Sequence, residues 1–153
     1  MGAFPAARDA AAMSKPLVVL CGSMTHYRRM LALKAELEAR GILVVAPADE
    51  RELAQASVAE RVRYKRRISE SYFRIIRRRA VSAILVVNLP KHGRKNYIGP
   101  NSFAEIAIAL NARKPIFLLR GIYPPLRDEL VAWDAVPLRG NLALLAKALK
   151  AKR

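Results

Sequence analysis

Four short apolar runs punctuate the chain, at residues 16–21 (PLVVLC), 42–46 (ILVVA), 83–88 (AILVVN) and 115–120 (PIFLLR). None alternates with polar residues, and each is about five residues of Leu, Ile, Val or Phe. That pattern belongs to strands covered on both faces, hence to a parallel sheet. Between the runs the apolar spacing changes to that of helices. Residues 25–40 carry Met30, Leu31, Leu33 and Leu37, and Gly41 follows as a stop signal. Residues 58–79 carry Val62, Ile68, Tyr72, Ile75 and Ile76 on one stripe. Residues 102–112 carry Phe103, Ile106, Ala107 and Leu110. After Arg120 come a Pro124-Pro125 turn, a short helix near 126–133, a fifth short strand at 136–138 and a last helix from Asn141.

Strands alternating with helices imply successive right-handed βαβ units. The expected fold is α/β: a flavodoxin-like, three-layer α/β/α arrangement around a four- to five-stranded parallel sheet. The chain has 153 residues, the length of one domain, and shows neither repeat nor linker. Residues 16–153 are therefore expected to form that domain, with residues 1–15 a flexible tail. Ligands of such sheets lie outside the carboxyl ends of the strands, where the strand order reverses. The loops at 22–25, 89–102 and 121–125 fall there.

The composition narrows the function classes. A single cysteine, Cys21, excludes an intramolecular disulfide framework and fits a reducing compartment. At the end of the first run it reads as a buried small hydrophobe. No apolar run reaches the ~18–20 residues that span a bilayer, and the Ala-rich start has no long apolar stretch of a signal peptide. The expectation is a cytoplasmic protein with no membrane role. Two histidines, His26 and His92, without Cys or carboxylate partners at ligand spacing, predict no metal site. The phosphate loop GxxxxGK[ST], GxGxxG, GxSxG and HExxH are all missing.

Charge adds a different signal. The net charge is +16, and it is patchy. Residues 61–79 hold Arg61, Arg63, Lys65, Arg66, Arg67, Arg74, Arg77, Arg78 and Arg79 against Glu70 alone. Lys91, Arg94 and Lys95 form a second group, and Lys147, Lys150, Lys152 and Arg153 a third. Such patches attract phosphates or acidic partners. Residues 61–79 are thus either a possible nucleic-acid surface, a solvated basic face, or a contact with a neighbouring subunit.

Two loops carry candidate chemistry. Gly22, Ser23, Met24 and Thr25 follow the first strand. They read either as a phosphate- or sugar-binding turn at a helix N-terminus or as a tight turn capped by Thr25. The stretch from Asn88 to Leu110 is a polar, basic loop followed by a helix expected to open at Asn101 or Ser102. There Glu105 falls in the first turn, off the Phe103/Ile106/Leu110 stripe. Ser102 and Glu105 have the S-x-x-E spacing of a capping box; alternatively, Glu105 faces the crevice as a functional carboxylate.

Residues 83–88, then 96–106 (NYIGPNSFAEI), then 113–119 (RKPIFLL), with 18–24 (VVLCGSM) as an earlier element, resemble the nucleoside 2-deoxyribosyltransferase-like family. The resemblance covers roughly residues 16–120 and is most specific from Tyr97 to Glu105. It implies a flavodoxin-like sheet, homo-oligomers, no cofactor, and cleavage or transfer at the N-glycosidic bond of nucleosides or nucleoside monophosphates. It implies that Glu105 is the catalytic nucleophile. Gly22, Ser23, Met24, Asn88, Tyr97, Gly99, Asn101 and Ser102 are the expected substrate-binding residues, with Arg28 near Ser23 for a 5′-phosphate. The family's aspartate at the start of the third strand and its first-strand tyrosine, both normally near sugar or base, correspond to Ser82 and Val19 here. Tyr97, His92 and Asp49 are the candidates to protonate the leaving base in their place. The other reading of the same chain is a catalytically reduced nucleotide- or nucleic-acid-binding protein.

Overall fold

In a computed structural model, which describes residues 15–152 and leaves the Glu52 side chain aside, five parallel strands form one sheet. The expected tail at 1–15 lies, but for Lys15, outside the described residues. The strands are β1 (Leu17–Cys21), β2 (Leu43–Val45), β3 (Val81–Val86), β4 (Ile116–Leu118) and β5 (Val136–Pro137). Their order across the sheet is β2-β1-β3-β4-β5. This is a three-layer, doubly wound α/β fold whose chain reverses direction across the sheet between β1 and β3.

The helices are α1 (Tyr27–Ala39), α2 (Val58–Ile76), α3 (Pro100–Asn111), α4 (Arg127–Ala132) and α5 (Leu142–Ala151). On one face, α1 and α5 bury Met30, Leu33, Leu37, Leu142, Leu145 and Leu149 against Val18, Leu20, Leu85 and Phe117. On the other, α2, α3 and α4 bury Tyr72, Ile76, Ile106, Ala109 and Leu130 against Val19, Cys21, Ile84, Val86 and Leu118. Because both faces are covered, the strand side chains are apolar throughout, which is why the runs do not alternate.

One irregularity matters to the site. The β1–β3 register jumps from Leu17↔Val81 to Val18↔Ala83, leaving Ser82 as an extra residue, and its Oγ accepts from the Leu17 N–H at 3.1 Å. Ser82 therefore holds a bulge at the amino-terminal end of the sheet. About six residues at ~3.3 Å each separate it from Asn88, so it does not stand near the sugar or base expected at the other end. Val19 is fully buried in the core and has no access to the crevice either.

Three helix readings are corrected. Leu31 and Val62, expected on buried stripes, are 42% and 64% exposed. In α3 the buried face is Ser102, Glu105, Ile106 and Ala109, while Leu110 is exposed. Phe103 turns aside to stack on Trp133, with ring centroids 5.5 Å apart and planes 9° from parallel. The large aromatic thus satisfies itself against the segment after α4, and the smaller side chains meet the layer below.

Candidate active site

The crevice lies above the carboxyl ends of β1 and β3. Its first wall is the turn after β1. Gly22 suits this close approach of the two strand ends, because a Cβ there would come within 3.2 Å of both the Cβ and the carbonyl oxygen of Val87 and would push them back by a few tenths of an ångström. A 3-10 turn follows (Met24–His26), and Ser23 is its cap, accepting from the Thr25 N–H at 3.3 Å. The cap is Ser23, not Thr25. The Ser23 hydroxyl also accepts from Lys91 Nζ at 2.7 Å, which ties the first loop to the third. Arg28 lines an adjoining cavity with Tyr27 and Asp49, and that cavity shares Met24, Glu50 and Arg51 with the cleft that Ser23 borders.

The second wall is the loop between β3 and α3. It is held in shape by side-chain amides. Asn88, fully buried, donates to the Gly121 carbonyl at 2.8 Å and accepts from the Arg120 N–H at 2.8 Å. Asn96 donates to the Ile122 carbonyl at 3.2 Å and accepts from the Gly121 N–H at 3.3 Å. These bonds fasten the loop after β3 to the loop after β4. Asn88 therefore works as a staple between loops and is not part of the cavity lining. His92, Gly93 and Asn96 all have positive φ, which makes the loop turn sharply around the Lys91–Arg94 bridge. Tyr97 packs edge-on to both His92 and Tyr123 and presents its ring to the crevice.

The floor is the start of α3. Gly99 is the N-cap and Pro100 the first helical residue, and no side chain caps the helix. The opening N–H groups are thereby left for a ligand. The helix starts earlier than the sequence pattern indicated, so Glu105 sits in its second turn and the Ser102–Glu105 capping box does not form. Glu105 is instead only 8% exposed, and its Oε2 has no hydrogen-bond partner. Burial pushes its pKa up to about 7, and the Cys21 thiol beside it offsets part of that rise. Cys21 is itself buried, and its thiol is pushed up by burial and by the nearby carboxylate.

Glu105 borders a small hollow of about 50 Å³ together with Gly22, Glu50, Ser69, Tyr72 and Asn101. Tyr72 donates its hydroxyl to the Leu20 carbonyl. The β1–β2 ladder stops at Val19↔Val45, so this phenol replaces the missing strand partner. Burial raises its pKa, which keeps it a neutral donor. The hollow shares Gly22, Met24, Glu50 and Asn101 with a larger cleft of about 850 Å³. Ser23, Tyr97, Gly99 and Ser102 line that cleft, along with the cations Arg51, Arg61, Lys65 and Lys91.

The structure thus gathers Gly22, Ser23, Met24, Tyr97, Gly99, Asn101, Ser102 and Glu105 around one opening, and leaves Asn88 behind it. Glu50, Tyr72 and Lys91 join the site without having been singled out as site residues from the sequence. Tyr72 looked like core, Lys91 like one of several loop cations, and Glu50 stands in a motif-free loop. Among the three earlier candidates for a proton donor, Asp49 is engaged by the Arg51 backbone and guanidinium, which lower its pKa. His92 is exposed, and Tyr97 lines the cleft. His26 has a buried, unpartnered Nε2, and burial and the nearby Lys91 hold its pKa down.

No protein-family model matches the chain, and no curated protein matches it either.

Proposed function

We propose that this protein breaks, or transfers across, the N-glycosidic bond of a nucleoside or nucleotide, with Glu105 as nucleophile. The observation that carries the reading is a nine-tenths-buried carboxylate with one unpartnered oxygen. It stands beside an uncapped helix N-terminus where the strand order reverses. Burying such a group without a partner costs free energy, and groups held at that cost cluster at functional sites. The resemblance of residues 83–119 to the nucleoside 2-deoxyribosyltransferase-like family assigns the same residue the same role.

In this reading the ionised Glu105 carboxylate attacks C1′ as the C1′–N bond breaks, and a glycosyl ester forms. The departing base takes a proton from an acid in the cleft. Glu50 lines both the hollow and the cleft, and in this reading it relays that proton from water. Water or a second base then displaces Glu105. Ser23, Asn101 and Ser102 orient the sugar, and Tyr97 offers its ring to the base. No metal or organic cofactor enters this chemistry. The protein acts in the cytoplasm, and by the family resemblance as a homo-oligomer.

The test is release of free base from a panel of nucleosides and 5′-monophosphates by the wild type and by Glu105→Gln. Release by the wild type alone supports the reading. Equal release by both proteins removes Glu105 from it.

A second reading has its own observation. The cations of α2 are exposed, and Arg66 pairs with Glu70 at 3.1 Å in the only ion pair of the helix among the described residues. This reading is a nucleic-acid-binding surface. With about six phosphates contacted, log K on a single strand would fall with log salt at a slope of roughly −4. Replacing Arg66, Arg67, Arg77 and Arg78 by Glu would abolish retention on heparin, and unchanged retention would leave a merely solvated face.

A further inference from the structure

Four cations border the 850 Å³ cleft, and Glu50 is the one described carboxylate among its lining residues. Arg51 is already neutralised by Asp49 at 2.6 Å. Lys91, Arg61 and Lys65 have no carboxylate within 4 Å among the described residues. Their positions differ in kind. Lys91 is fixed against the Ser23 hydroxyl, next to the opening of α3 and the hollow of Glu105. Arg61 and Lys65 are one helical turn apart on α2 and present their charges together on the wall of the cleft that this helix supplies, whereas Lys91 comes from the loop after β3. Cations held together in one concavity repel each other and raise the local concentration of anions.

From this arrangement we infer that the ligand is a nucleotide with a phosphate chain, a nucleoside di- or triphosphate. Its first phosphate lies on Lys91, Ser23 and the α3 N-terminus, and its outer phosphates lie on Arg61 and Lys65. The inference rests on the proposed glycosidic reading for the placement of the sugar at Glu105, whose orphaned oxygen marks the inner end of the same opening. A cleft of this volume lies in the upper part of the ~300–1,000 Å³ range of small-ligand sites. It accommodates more than a nucleoside. A single phosphate on Lys91 would leave Arg61 and Lys65 uncompensated, whereas a phosphate chain reaching outward supplies the matching charge.

The experiment is calorimetric titration of the full chain with a nucleoside, its 5′-mono-, di- and triphosphates, inorganic tripolyphosphate, and a short 5′-phosphorylated single strand. Each of the four deoxy- and four ribonucleoside series is used. Affinity is expected to rise about tenfold or more from nucleoside to monophosphate and again to the triphosphate, the scale of hydrogen bonds to charged groups. Lys91→Gln should erase the first step and Lys91→Arg should keep it. The double substitution Arg61→Gln with Lys65→Gln, at exposed positions that do not disturb the core, should erase the second step alone. Equal affinity for nucleoside and triphosphate would overturn the inference. So would a single strand that binds more tightly than any triphosphate, which would assign these cations to a polynucleotide. Base release measured alongside keeps the two ideas apart. Phosphate-graded binding without release leaves the polyphosphate site and removes the glycosidic reading. Release from free nucleosides without graded binding does the reverse.

Discussion

At the residue scale, Glu105 combines the proposed nucleophilic role with a thermodynamic burden. Its pKa of about 7 against an ordinary value of 4.5 means that the folded protein holds a proton the unfolded chain has already released. Between those two values the native state binds more protons, so unfolding free energy falls as pH rises from about 4.5 to 7 and levels off above. The size of that fall from this one group is about 3 kcal/mol. Denaturant unfolding of wild type and Glu105→Gln across this range should show the difference between the two proteins shrink or reverse toward neutral pH, because Gln has no proton to lose. Parallel curves would mean that the carboxyl titrates normally. As the proposed nucleophile the same group must be ionised, so kcat/KM for base release should rise with pH through about 7. The sequence singles this residue out, but its burial was not legible there. Apolar spacing put Phe103 and Leu110 on the inner face. The Gly99-Pro100 start and the Phe103–Trp133 stack instead turned Ser102 and Glu105 inward.

Among the elements, the loops decide where the chemistry sits, and they follow rules that periodicity does not carry. Asn88 reads from the sequence as a polar strand end facing ligand. Its amide is consumed by the backbone of the next loop, which is a long-range partner no local pattern reveals. Asn88→Ala would leave a part-buried carbonyl and N–H without this partner, and should destabilise the protein by about 1–2 kcal/mol in urea or guanidinium unfolding. A loss below 0.5 kcal/mol would show that the loops hold together without it. The basic helix gives the converse lesson. Its capping box of Ser57 and Glu60 and its apolar positions are all local, yet only the carboxyl-terminal half is buried, at Tyr72 and Ile76. Val58 and Val62 stay exposed because burial depends on where the neighbouring layer ends.

For the whole molecule, the parallel sheet was readable because burial on both faces removes polar residues from the strands, a signal that survives in five residues. The fifth strand, two residues long, was barely so. The bulge at Ser82 left no mark in the sequence; it sits at the amino-terminal end of β3, remote from the crevice. With that position out of reach, the proposed chemistry rests on the carboxylates that border the crevice, Glu105 first among them. The direct test is to quench wild-type protein during turnover and weigh its peptides. The peptide that contains Glu105 is predicted to gain the mass of the substrate's glycosyl group, and the gain should be missing in Glu105→Gln, which releases no base. Base release by Glu105→Gln at the wild-type rate, with no adduct on either protein, would contradict the account.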